Sequence, residues 1–138
     1  MTTSHPFPTP VPGTDDVEFW EGCRRGELLI QKCSECGKLR HYPRPACPRC
    51  SCEEYSWHKV SGKASLYSFI IVHHPTLPVF KEKVPYPVIL VELEDGVHMV
   101  SNILECKNEE LRIGMPLEVV FDRINDDVTL PKFRPAAA

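Results

Sequence analysis

The sequence predicts a mainly β chain: an N-terminal helix and rubredoxin-like metal ribbon, followed by a five-stranded barrel. Three observations predict it. Cys33-Ser-Glu-Cys36 and Cys47-Pro-Arg-Cys50 form two C-x-x-C knuckles ten residues apart. Short apolar runs flank and separate these knuckles. From residue 55 onward, runs rich in β-branched and aromatic residues recur between turn signals.

The chain opens on an arm, residues 1–14, in which Pro6, Pro8, Pro10 and Pro12 alternate. That pattern favours an extended, polyproline-like segment without a core of its own. Residues 15–54 are expected to form the helix and ribbon. Asp15 can cap the helix, with Glu18 three residues on completing a capping box. Phe19, Trp20 and Cys23 give the helix an apolar side, and Gly26 is its stop. Leu28-Leu29-Ile30 reads as a strand entering the first knuckle, and residues 39–43 as a second short strand between the knuckles.

Residues 55–135 are expected to form the barrel. A first strand covers 57–74 and bends at Gly62. A second covers 87–94, with Val88-Ile89-Leu90-Val91 apolar enough to be well buried. Asp95-Gly96 turns the chain into a third strand, 97–104. Residues 108–113 read as one or two helical turns ended by Gly114. A fourth strand covers 116–123 and a short fifth 128–133. Pro131 cannot donate to a ladder, so the fifth strand must carry it at an edge or bulge. Strand, hairpin pair, short helix, strand, strand is the order of an OB-fold, with a β-sandwich as the alternative.

The knuckles carry the clearest chemistry. Cys33, Cys36, Cys47 and Cys50 supply the four thiolates of a tetrahedral site, for which Zn2+ is expected and iron is the competitor. Four protein ligands leave no position for water or substrate, so the metal is structural. It staples an element too small to bury enough apolar surface alone. Cys52, two residues past Cys50, is expected to be a bystander. Cys23 is expected in the core, and Cys106 as an exposed thiol.

The formal charge of the 138 residues is −3, against the basic balance of a nucleic-acid binder. Yet residues 32–49 hold Lys32, Lys38, Arg40, Arg44 and Arg49 against only Glu35. Two readings stand: these cations offset the metal–thiolate centre, or they form a patch for phosphates. No stretch approaches the roughly 18 apolar residues of a membrane span. The N-terminus lacks the basic and apolar regions of a secretory signal. Thiolate ligands need a reducing compartment, so a cytoplasmic location is expected.

No catalytic constellation is legible: there is no nucleophile elbow and no glycine-rich phosphate loop. His73 and His74, as strand neighbours, would point to opposite faces. The connection at 73–86 does stand out. Hairpin loops usually take about two to five residues, whereas this one takes 14 and carries Val79, Phe80, Lys81 and Lys83 before Tyr86.

Over residues 19–135 the sequence resembles the acyl-CoA-associated family with a zinc ribbon and an OB-fold, domain of unknown function 35. The resemblance rests on Phe19-Trp20, Leu29-Ile30-Gln31-Lys32-Cys33, Cys47-Pro48-Arg49-Cys50 and Val60-Ser61-Gly62-Lys63. It continues through Tyr67-Ser68-Phe69, Val72-His73, Pro85-Tyr86-Pro87 and Ile113-Gly114-Met115-Pro116. Lys63-Ala64 and the extra Cys52 depart from the family pattern. The resemblance implies a non-catalytic subunit of a thiolase-fold acyltransferase, thiolase or aldolase, in some cases beside a hydratase subunit. It implies that ribbon and helix dock on the partner and that the barrel face lies near acyl-CoA. Phe80, Lys81 and Lys83, with Tyr86 at the loop's end, are then candidates for contact with CoA or the partner. A single-stranded nucleic-acid module is the alternative function, and an iron electron carrier a third.

Overall fold

The computed structural model describes residues 8–136. The Pro6 end of the arm therefore lies outside the described residues. The helix α1 spans Val17–Arg24 and starts one residue later than the cap at Asp15 would place it. Asp16 holds the N-cap position without capping: its carboxylate accepts instead from the Gly13 N–H (2.5 Å) and from the Trp20 indole N–H (3.2 Å). The helix ends as Gly26 predicts. Gly26, at φ 78°, donates to the Cys23 carbonyl, and the Glu27 N–H reaches the Gly22 carbonyl at 2.8 Å. This double closure satisfies carbonyls that the helix end would leave orphaned.

The ribbon sheet has three antiparallel strands in the order β2 (Leu39–Arg40), β1 (Leu28–Cys33), β3 (Tyr55–Val60). β3 is a correction to the sequence reading, which ran one strand through 57–74. Its register, Leu28 opposite Val60 to Cys33 opposite Tyr55, commits it to β1. At Gly62 the chain leaves the ribbon sheet and enters β4 (Lys63–Val72), the first barrel strand. Gly62 has φ 87°, and a Cβ built on it would lie 2.3 Å from Val119 Cγ1. Only glycine fits this crossing.

The barrel sheet runs β6 (His98–Ser101), β5 (Tyr86–Leu93), β4, β7 (Pro116–Arg123), β8 (Thr129–Pro135). The segment just past β6 then meets β8 across a seam by a parallel bridge, Ile103 to Phe133. The Leu104 N–H donates to the Phe133 carbonyl (2.7 Å), and the Phe133 N–H to the Asn102 carbonyl (3.0 Å). This curled five-stranded sheet is the OB-fold expected. The expected helix before the fourth strand is a single 3-10 turn, Asn108–Glu110. Pro131 sits in β8 two residues before Phe133, so its nitrogen faces the seam, where no ladder bond is lost. Its carbonyl accepts from the Ser101 hydroxyl at 2.7 Å.

One core joins the two sheets. Phe19 and Cys23 of α1, and Leu28 and Ile30 of β1, belong to the same buried cluster as Leu66, Val91, Leu117 and Phe133 of the barrel. α1 packs against β1 on one side and β7 and β8 on the other. Ribbon and barrel are thereby held at a fixed angle by apolar burial.

Candidate metal centre and the clefts beside it

β1 delivers Cys33 into the first knuckle and the chain returns through Leu39. The second knuckle repeats the first in backbone detail. The Gly37 N–H donates to the Cys33 carbonyl (3.0 Å) and the Ser51 N–H to the Cys47 carbonyl (2.8 Å). The Cys33 N–H donates to the Lys38 carbonyl (2.9 Å) and the Cys47 N–H to the Cys52 carbonyl (2.8 Å). The residue after each second cysteine is left-handed, Gly37 at φ 73° and Ser51 at φ 67°. Glycine takes that conformation freely, whereas serine does so at a cost.

These twin turns bring the four sulfur atoms of Cys33, Cys36, Cys47 and Cys50 within 4.8 Å of one another. Cys33 Sγ lies 3.5 Å from Cys50 Sγ, and Cys36 Sγ lies 3.6 Å from Cys47 Sγ. Backbone N–H groups point at the sulfurs, from Cys36 to Cys33 (3.5 Å) and from Arg49 to Cys47 (3.4 Å). The Cys36 N–H leads in lowering the Cys33 thiol to about 6, and the Cys50 N–H leads in lowering Cys47. Such donors favour the thiolate form that a metal needs. A closed set of four thiolates fits a tetrahedral metal ion.

Cys52 serves the second knuckle through its carbonyl, while its sulfur turns to the backbone of Glu54. Cys23 is fully buried, and burial pushes its thiol up to about 12. Cys106, half-buried, has its sulfur 3.5 Å from the Lys107 carbonyl. His73 and His74 fall just past the end of β4, both exposed, rather than within a strand.

The ribbon's cations are organised around a buried clamp that the sequence reading missed. Gln31 is 0% exposed and Arg40 5%. Gln31 Oε1 accepts from Arg40 Nε (2.7 Å) and from the Arg44 N–H (2.8 Å), and Arg40 Nη2 donates to the Arg44 carbonyl (3.1 Å). The Arg40 guanidinium also stacks over the Tyr55 ring at 5.2 Å. No local sequence signal marks it, since Gln31 and Arg40 come to face each other only through the register of β1 and β2.

Of the four loop candidates, three line one cleft. Phe80, Lys83 and Tyr86 join Ile103, Ile124 and Leu130 around about 440 Å3, with Pro8 and Thr9 of the arm at its edge. A 3-10 turn at Pro78–Phe80 shapes the loop, and the Phe80 and Tyr86 rings lie 5.7 Å apart. Lys81 is exposed and outside the cleft wall. The Asp122–Lys132 ion pair (2.6 Å) sits in the same wall. A second cleft of about 270 Å3 continues from it through Asn102, Leu130 and Lys132 to α1 and Tyr42.

Comparison with known proteins decides the family. Residues 20–54 match the ChsH2 rubredoxin-like zinc ribbon domain, and residues 57–122 match the ChsH2 C-terminal OB-fold domain. A DUF35 domain-containing scaffold protein of Methanocaldococcus jannaschii is 34% identical over 80% of this chain and 79% of its own length. The chain is a member of the DUF35 family. A solved structure named Ltp2-ChsH2(DUF35) aldolase superposes on this DUF35 protein with a TM-score of 0.83. It is 36% identical over 93% of this chain and 99% of the other. A probable enoyl-CoA hydratase alpha subunit of Thermomonospora curvata is 36% identical over 94% of this chain. A 3-oxo-4,17-pregnadiene-20-carboxyl-CoA hydratase alpha subunit of Mycobacterium tuberculosis is 33% identical over 81%. The DUF35 chain spans only 40% and 35% of the length of those two hydratase subunits. Among the described residues, no helix is long and apolar enough to cross a membrane.

Proposed function

We propose that this DUF35 protein is a non-catalytic accessory subunit of an acyl-CoA-processing complex in the cytoplasm. It docks on a thiolase-fold acyltransferase, thiolase or aldolase, with a hydratase subunit as a further partner. The observation that carries this reading is the likeness, across nearly the whole chain, to a chain named as part of an Ltp2-ChsH2(DUF35) aldolase. Two features are consistent with it. The sulfur tetrad is a closed ligand set, suited to holding a structural Zn2+ rather than to activating water. The cleft lined by Phe80, Lys83 and Tyr86 has the apolar wall and few polar groups of a small-molecule site.

On this reading Cys33, Cys36, Cys47 and Cys50 hold the metal that folds the ribbon, whose sheet includes β3. The barrel, entered at β4, lends its loop to the acyl-CoA path of the partner. Phe80 and Tyr86 offer rings to the pantetheine arm or the interface, and Lys81 and Lys83 offer charge to its phosphates.

Native affinity purification tests the proposal. A stoichiometric thiolase-like or hydratase-like protein is expected with the tagged chain. Its absence would overturn the reading. Single-stranded nucleic-acid binding is the second reading, favoured by the cations of residues 32–49. It requires retained RNA or DNA that is lost steeply with salt.

A further inference from the structure

We infer that the cleft between the second knuckle and the β5–β6 turn binds carboxylate side chains of a protein partner. Lys38, Arg44, Tyr42 and Pro48 form one wall and Val97 and His98 the other, around about 410 Å3, and no Asp or Glu lines it.

Three observations carry the inference. First, the ribbon wall of the cleft is cationic, with Lys38, Arg40 and Arg44 in its lining. Arg24, Arg25, Lys59, Arg123, Lys132 and Arg134 all sit in ion pairs. Among the described residues, Lys32, Lys38, Arg40, Arg44 and Arg49 sit in none. On the barrel wall His98 already meets Glu92 at 3.3 Å, whereas Lys38 and Arg44 on the ribbon wall have no carboxylate of this chain and are free to take one from another molecule. Second, the position of Arg44 is built. The buried Gln31–Arg40 clamp fixes both its N–H and its carbonyl, so its exposed side chain leaves a rigid base. Pre-organisation of this kind lowers the cost of ordering a contact. Third, the rim is aromatic and apolar. Tyr42 (52% exposed) and Val97 line the cleft, and the exposed Tyr67 stacks on its lining residue His98 at 4.4 Å. Tyrosine and arginine at an exposed cleft are the composition of a protein-binding hot spot.

Carboxylate is favoured over nucleic-acid phosphate by the net charge of −3, and the Arg44 N–H is already taken by Gln31. The face is composite, with Lys38 and Arg44 from the ribbon and His98 from the barrel. Both parts must be folded for it to exist. The inference rests on the accessory-subunit reading and names the surface and partner chemistry that reading leaves open.

Carbodiimide coupling of the wild-type complex purified from native lysate tests it, because this reagent joins lysine amines to carboxylates without a spacer. The expected product is a peptide linking Lys38 to an Asp or Glu of a thiolase-like or hydratase-like protein. Lys38→Glu combined with Arg44→Glu, with metal content and melting temperature unchanged, should lower retention of that partner by about tenfold or more, since like charges then face each other. A partner retained equally by wild type and variant, without a Lys38 link, overturns the inference and leaves the accessory-subunit reading standing. Failure of the wild type to retain any such protein overturns both. Nuclease-sensitive material on the wild type, lost in the double variant, assigns the cleft to nucleic acid and overturns the inference.

Discussion

Single side chains set the stability of the ribbon. Cys33 ends β1 and brings its sulfur to the tetrad, so on the proposed function Cys33→Ala removes one of four metal ligands. The account predicts loss of bound metal and of ribbon structure, measured by metal content and circular dichroism, with no catalytic group touched. His41 makes a separate prediction. Burial lowers its pKa from 6.5 to about 4, so the folded state holds it neutral. Between those values the unfolded chain binds more protons, so stability is fully present above about pH 6.5 and falls as pH drops toward 4. The metal thiolates titrate with acid too, so the comparison is made against His41→Phe. Denaturant melts from pH 7 to 4.5 should show a shallower loss in the variant, the gap growing by about 1–3 kcal/mol. Parallel curves would contradict the assignment.

Elements show how much the sequence discloses. The knuckles, the Gly26 stop, the Asp95-Gly96 turn and the order of barrel strands are local signals, and each was legible. Three features were not. Gly62 was read as a bend within one strand, because local pattern cannot say that Val60 pairs with Leu28 while Ala64 pairs with Leu93. Asp16 replaced Asp15 because its carboxylate takes two local donors, the Gly13 N–H and the Trp20 indole four residues on, in place of capping the helix. The Gln31–Arg40 clamp joins residues that become neighbours only through β1–β2 register. Of the candidate site, the gathering of four sulfur atoms was legible from spacing. The cleft around Phe80 was half legible, because Ile103, Ile124 and Leu130 arrive from distant strands. The crossing makes a testable claim: Gly62→Ala should destabilise the protein by about 2–4 kcal/mol in urea melts, from the Val119 contact and the left-handed backbone together. Adding Val119→Ala should recover only part of that loss, because φ 87° still disfavours a side chain. Full recovery would mean that contact alone decides the site.

At the scale of the whole molecule, the continuous core from Phe19 through Phe133 makes ribbon and barrel one mechanical unit. On the proposed function, folding the small ribbon around a metal therefore positions the faces that a partner meets. Stripping the metal with a chelator should release the partner before the barrel melts, as followed by size-exclusion chromatography and tryptophan fluorescence. Persistence of the complex after metal loss would mean that barrel contacts alone hold it. The most direct measurement is native affinity purification of the tagged wild type and of Cys33→Ala in parallel, with bound proteins identified by mass spectrometry and metal quantified. The account predicts zinc and a stoichiometric thiolase-like or hydratase-like protein on the wild type, and neither on the variant. A wild type that carries zinc but no such protein, or a variant that keeps the partner without metal, would contradict it.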